Sequence, residues 1–264
     1  MTEENQLLLK EYSTFKNAYQ LVLKDTENGN NLVDYYLEII EKFSTKKITH
    51  ILEIYPVNEE SFQVSFRKAG FEVTSIALDM RISAVGGEQD GDHFIIGKNF
   101  DFPKLPSSQK FDVVIISQGC FGRFVSEENS REFLTKIFEC LEKNGLLIFE
   151  FWHLTGVEKA VTDEKGHKDW EKINSVTEGS IIRLTNSKLH LDTSLLSVDI
   201  HYIIENNNEI KRFNESHLWR LYTLSEIDLL LGNNNFQFLK SYKFPTFEDP
   251  EFTSFRLLGI CERK

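Results

Sequence analysis

Cysteine, proline and methionine are scarce in the 264 residues, with three, five and two of each. Cys120, Cys140 and Cys261 are too few for a disulfide framework, and no Cys-x-x-Cys pair offers a zinc site. They read as small buried hydrophobes of a reducing compartment, so a cytoplasmic protein without a metal is expected. No run of 18 apolar residues occurs, so no membrane-spanning helix is expected either. The opening residues, MTEENQLLLKEY, lack the apolar stretch of a secretion signal. Basic residues are the minority, 30 against 41 acidic ones. The net charge of −11 repels phosphate backbones and excludes bulk nucleic-acid binding. No internal repeat and no linker rich in glycine, serine or proline breaks the chain.

What is present fits a folded protein: 41% hydrophobic residues, 27% charged residues and 22 phenylalanines. The length suits one α/β domain over residues 1–264 that carries an insertion. Val33, Tyr36, Leu37, Ile40 and Phe43 recur at helical spacing. The apolar run 48–55 predicts a buried strand, 59–69 a helix, 71–77 a second strand, 93–97 a third and 111–117 a fourth. Residues 127–143 predict a helix with Phe133, Ile137, Cys140 and Leu141 on one face, closed by Asn144-Gly145. Residues 146–152 predict a fifth strand. Strands alternating with helices imply a mostly parallel sheet with both faces covered.

The period then changes to two over 179–222: Ile182 and Leu184, Leu189 and Leu191, then Leu196, Val198, Ile200 and Tyr202. This predicts an antiparallel β insert within 154–222. Thr223 and Glu226 form a capping-box pattern before a helix over 224–232. Strands near 236–242 and 252–262 end the chain.

The order of elements, and several strings in it, resemble the class I S-adenosylmethionine-dependent methyltransferases. FDVVIISQGCFGRF (111–124) resembles the family's fourth strand and following loop. EENSREFLTKIFECLEKNGLLIFEFWH (127–153) resembles the next helix and fifth strand. RFNESHLWRLYTLSEIDLLLGNNNFQFLKSY (212–242) resembles the return from a small β insert into the last helix. The nearest group is the small-molecule enzymes that include N-methylases of amino sugars. The resemblance implies a Rossmann-like sheet, mostly parallel with the last strand antiparallel, and a small antiparallel insert after strand 5.

It also implies cofactor positions, and several are altered. The family's glycine-rich turn D-x-G-x-G-x-G falls on residues 53–59. Glu53 keeps the acid, while Tyr55, Val57 and Glu59 replace the glycines. Glycine serves there because the backbone needs open φ space and no side chain. The acid that grips the ribose falls on Ala77, with Asp79 two residues on and on the same strand face. The acid that accepts from the adenine amino group falls on Lys98, which has donors only. Ser117, at the end of strand 4, completes the set of cofactor-equivalent positions.

Around the implied mouth stand His153 and His217 as candidate general bases, and Arg123, Trp152, Arg220 and Tyr222 as candidate substrate contacts. All but Trp152 have a plainer reading, as does Asp79. Asp79 would cap a helix, Arg123 would be a solvated loop residue, and His153 an ordinary residue at a strand end. His217, Arg220 and Tyr222 would form a structural network under the insert. Gly86-Gly87 and Asp90-Gly91-Asp92 read as turns, since neither has a phosphate or calcium spacing.

Two functions follow as expectations. The first is a methyltransferase-superfamily protein with a degenerate S-adenosylmethionine site and no cofactor. It would act as a non-catalytic partner of a homologous methyltransferase subunit, in a homo- or heterodimer, or bind another small molecule. The second is an active N- or O-methyltransferase that uses S-adenosylmethionine and a small-molecule acceptor.

Overall fold

The computed structural model describes residues 29–56, 62–79, 94–98, 109–160, 167–175, 179–206 and 209–264. In chain order, α1 (Gly29–Phe43) precedes β1 (His50–Pro56), α2 (Gln63–Lys68), β2 (Glu72–Asp79), β3 (Phe94–Lys98) and β4 (Phe111–Ile116). A short 3-10 turn (Cys120–Arg123) leads to α3 (Glu127–Cys140), β5 (Leu141–Trp152) and α4 (Leu154–Ala160). Next come β6 (His167–Ser175), β7 (Gly179–His190), β8 (Leu195–Asn206) and β9 (Glu209–Arg220). The chain closes with α5 (Leu224–Gly232), β10 (Phe236–Lys243) and β11 (Arg256–Arg263).

Seven strands form one sheet in the order β10-β11-β5-β4-β1-β2-β3. Strands β1 to β5 are parallel neighbours, and β11 runs antiparallel between β5 and β10. This is the Rossmann-like, mostly parallel sheet with an antiparallel last strand that the sequence implied. Every residue of β4 is buried, because helices cover both faces. Val114, Ile116 and Phe149 pack under α3 and α5 through Phe133, Ile137, Ile227 and Leu231. Val113, Ile115 and Ile148 pack under α1 and α2 through Ile39, Tyr36 and Phe66. Each such side chain contributes about 1.5–3 kcal/mol on burial.

Local signals place most boundaries. Ser126 accepts from Asn129 N–H at 3.1 Å and starts α3, with Glu127 and Glu128 complementing the helix dipole. The capping box of Thr223 and Glu226 starts α5 as read. Where the structure differs from the sequence reading, strand pairing decides. Helix α3 stops at Cys140 and not at 143, because Leu141 turns extended and pairs with Phe111. Asn144, with φ of 58°, therefore lies inside β5. At Gly145 a Cβ would sit 2.7 Å from the Glu142 carbonyl and 3.0 Å from that of Asp112, so the approach requires glycine. The last strand starts at Arg256, after a loop, and not near 252. Helix α2 covers only Gln63–Lys68, and β3 is displaced one residue from the reading.

The insert is a four-stranded antiparallel sheet, β6-β7-β8-β9, preceded by α4. Strand β6 was not anticipated. The period of two holds, and the pairing of β7 with β8 decides which face of β7 is buried. The register Ile181↔Ile204 and Arg183↔Tyr202 turns Ile181, Tyr202 and Ile204 inward, where they are buried. Ile182 is therefore on the opposite face with Leu184, which is exposed, and Leu191 lies in the β7–β8 turn. Trp219 and His217 share the inward face through Leu196 and Val198. Among the described residues no helix is long and apolar enough to cross a membrane.

Asp112 fixes the start of β1 against β4. Its carboxylate accepts from Thr49 N–H at 2.8 Å, Thr49 Oγ1 at 3.0 Å and His50 N–H at 3.1 Å, and pairs with Lys46 at 2.9 Å. Burial works to raise its pKa, but the Lys46 pair and these hydrogen bonds outweigh it and bring it down to about 2. The folded value thus lies below the unfolded one. The stabilisation is complete above the ordinary 3.8 and is lost as pH falls toward about 2. Urea midpoints measured from about pH 5 to about pH 2 should fall more steeply for the native chain than for Asp112→Asn. Equal slopes would remove Asp112 from the acid response.

Candidate functional site

Ligands of open parallel sheets bind outside the carboxyl ends of the strands. Here that edge is formed by the ends of β1 to β5, with the insert alongside. Residues 57–61, 80–93 and 99–108, which follow β1, β2 and β3, lie outside the described residues, so Val57, Glu59, Gly86-Gly87 and Asp90-Gly91-Asp92 are not placed. The side chains of Ala77, Asp79 and Lys98 are likewise undescribed, although their backbone is.

Glu53 is fully buried and committed to the fold. One oxygen accepts from Phe62 N–H at 2.7 Å, and the other from Ser75 Oγ at 2.8 Å. It thus ties the start of α2 and strand β2 to β1. Pairing of β1 with β4 ends at Ile54↔Ile116, yet β1 stays paired with β2 through Tyr55↔Ala77 and Pro56↔Leu78. The chain is therefore still strand at the position of the first family glycine. Tyr55 is 3% exposed there. Strand β2 likewise runs to Asp79, opposite Lys98 on β3.

The turn after β4 forms the next wall. Ser117 N–H donates to the Ile54 carbonyl at 3.0 Å. Its hydroxyl is buried and has no hydrogen-bond partner among the described residues. Gln118 and Gly119 both have positive φ, 55° and 66°. Glu150 holds this turn by accepting from Gln118 N–H at 3.0 Å. The same Glu150 oxygen accepts from the Tyr36 hydroxyl, and Arg256 lies 3.6 Å from the other oxygen. Burial, reinforced by the Glu150 charge, pushes the Tyr36 pKa well up, so Tyr36 remains a donor. Glycine is required at 119, because a Cβ would lie 2.8 Å from Trp152 Nε1. In the same turn, burial raises the Cys120 thiol to about 12, which leaves it protonated and unsuited as a nucleophile.

The turn docks the insert. Arg123 is only 9% exposed, so it is not a solvated loop residue. Its guanidinium stacks 3.5 Å from the Trp219 ring centre, and Nη1 donates to His217 Nδ1 at 2.6 Å. Arginine has no acceptor, so Nδ1 of His217 accepts and its ring proton sits on Nε2. Trp219 meets Trp152 edge to face at 5.7 Å. The structure thus brings together Arg123, Trp152 and His217 and adds Trp219.

His153 is buried at the start of α4. Its Nδ1–H donates to the Ser254 carbonyl at 3.1 Å, and its backbone N–H to that of Phe255 at 2.8 Å. Burial lowers its pKa, with the Ser254 contact partly opposing, so the ring is neutral near pH 7. Arg220 and Tyr222 face elsewhere. Arg220 donates to the Thr193 carbonyl at 3.1 Å and lies 3.5 Å from Glu226. The Tyr222 hydroxyl is 3.2 Å from Ser130 Oγ, beneath a groove between α3 and α5.

Sequence reasoning missed Glu150, Tyr36, Arg256 and Trp219. Glu150 left a readable signal, as the one charged residue in the run Leu146–Trp152. A carboxylate inside a buried strand needs partners.

No protein-family model matches the chain. No curated protein matches it in sequence. Solved structures do match. An S-adenosylmethionine-dependent methyltransferase from Clostridium acetobutylicum superposes with TM-score 0.72 at 14% identity, over 96% of this chain and 98% of that one. An amino pentose methyltransferase of calicheamicin biosynthesis from Micromonospora echinaspora gives 0.67 at 13%, over 95% and 96%. A sugar N-methyltransferase from Streptoalloteichus gives 0.67 at 14%, over 95% and 93%. Likeness at these identities speaks for architecture, and with the strand order above it establishes that the chain has the Rossmann-like fold of the S-adenosylmethionine-dependent methyltransferases.

Proposed function

We propose that this protein is a methyltransferase-fold protein whose S-adenosylmethionine site no longer works in the family's way. It serves as a non-catalytic partner of a homologous subunit or binds another small molecule. The carrying observation is Tyr55: β1 continues through it and buries it where a glycine turn would admit the cofactor. Glu53 is spent on Phe62 and Ser75 and is not offered to a ligand. The residues present do not fit the cofactor held in the usual manner. Each lost hydrogen bond to a charged group costs about 1.5–3 kcal/mol. Losing those of the ribose and adenine acids, together with exclusion at Tyr55, takes a micromolar site to about millimolar or weaker.

Calorimetric titration with S-adenosylmethionine and S-adenosylhomocysteine tests this. The expected result is no binding heat up to about 1 mM ligand, from a sample with a cooperative unfolding transition. Binding at about tens of micromolar would overturn it.

That outcome would favour a second reading, an active small-molecule N- or O-methyltransferase with a displaced cofactor site. Two observations support it. Strand β2 extends two residues beyond Ala77 to Asp79, which suits a replacement for the ribose acid. Ser117 presents a buried hydroxyl without a partner among the described residues at the same edge. The amino pentose methyltransferase and the sugar N-methyltransferase of the same fold point to an amine acceptor. In this reading His153, neutral with Nε2 as acceptor, is the better base, because His217 is engaged with Arg123. Asp79→Ala should then abolish the binding heat.

A further inference from the structure

The groove between α3 and α5 is lined by none of Ser117, Arg123, Trp152, His153 or His217, and its volume is about 170 Å³. A cavity of about 150 Å³ accommodates benzene, so a six-membered ring is the right size, and a drug-sized ligand is too large. Leu229, 66% exposed, and Leu230 form an apolar side.

The polar corner is set by proton bookkeeping. Ser130 Oγ lies 2.9 Å from the Phe124 carbonyl, 3.0 Å from the Ser126 carbonyl and 3.2 Å from the Tyr222 hydroxyl. A serine has one proton, and the two carbonyls accept only. The arrangement that serves all the groups gives the Ser130 proton to a carbonyl and has Tyr222 donate its own to Ser130. The lone pairs of the Tyr222 oxygen are left as acceptors. Glu226 adds another acceptor: its Oε2 takes Thr223 N–H and Oγ1–H, while Oε1 is 3.5 Å from Arg220. Glu127, also on the rim, is a carboxylate held by Arg131 at 2.6 Å. Among the described residues Arg220 is the single cation of the lining. Arg220 and Asn233 place donors on the rim, whereas the Tyr222–Glu226 corner itself offers acceptors. The first turns of α3 and α5 carry partial positive charge that offsets the two carboxylates, so this corner selects for a hydrogen-bond donor more than for net charge.

We propose that this groove is a second small-molecule site. It takes a ligand of one six-membered ring that presents a donor, hydroxyl or ammonium, to the Tyr222–Glu226 corner. The site is independent of the mouth and would operate whether or not the mouth takes a cofactor.

Saturation-transfer NMR on the full chain tests it with three ring probes: cyclohexanol, cyclohexylamine and methoxycyclohexane, which has an acceptor and no donor. Transfer to the alcohol or the amine is expected with Kd of about a few millimolar, and to the ether at least about fivefold weaker. The stronger of the two donors identifies which donor the corner prefers. Leu229→Trp, at an exposed position, fills the groove and should abolish transfer to both. Tyr222→Phe keeps the ring and removes the acceptor, and should bring the donor probes down to the level of the ether. Equal binding of all three probes, no transfer to either donor, or transfer that survives both substitutions overturns the proposal.

Discussion

Replacing Glu150 with alanine is expected to cost about 3–5 kcal/mol of stability, measured by urea unfolding near neutral pH. The carboxylate is buried on β5 and serves three elements: Tyr36 of α1, the N–H of Gln118 in the turn after β4, and Arg256 of β11. Alanine leaves a buried hydroxyl, a buried amide and a guanidinium without their acceptor. Arg256 softens the loss, because it stacks over Phe244 at 4.4 Å and keeps some exposure. The Gln118 turn feels the loss directly, since a non-glycine residue at positive φ is held there by this bond. Glu150→Gln retains an acceptor oxygen and should cost about 1–2 kcal/mol. A loss for alanine below about 1 kcal/mol would show that the network carries little of the fold.

Replacing Phe121 with alanine is expected to cost about 3–5 kcal/mol, through lost burial and the cavity left behind. Its ring is fully buried, 4.8 Å from that of Phe149 and 5.4 Å from that of Tyr222. It is the apolar anchor of the turn that Glu150 holds by hydrogen bonding. The two changes should therefore not add. A double-mutant cycle should show a coupling of about 0.5 kcal/mol or more, whereas additivity would mean that the turn is anchored at two independent points. Phe121 also separates the Tyr222 groove from the sheet, so its loss should weaken the ring probes as well.

The elements with local signatures were legible. Thr223 reads as the start of a helix because its side-chain oxygen meets an unsatisfied N–H three residues on, a geometry written in adjacent residues; Ser126 starts α3 by the same rule. The apolar run of β4 announced a strand covered on both faces. Boundaries set by pairing were not legible. Leu141 left the helix for a partner about thirty residues upstream, Phe111. The inward face of β7 depended on its register with β8, and a shift of one residue exchanges the faces.

The site was read in outline only. The resemblance located Arg123, Trp152 and His217, and the structure joins them, but as a clasp between turn and insert built on Trp219. Arg220 and Tyr222, read as contacts at the same mouth, line a different groove. Sequence by itself determined the alternation of strand and helix, the antiparallel insert and the absence of the glycine turn, because each is a property of neighbouring residues. Only the tertiary structure decided that Tyr55 is buried in an extended β1, that Glu53 is consumed by Phe62 and Ser75, and that Glu150 governs the turn after β4. Those facts depend on hydrogen-bond partners 9, 22 and 32 residues away in the chain, and their geometry exists only once the sheet has closed over them.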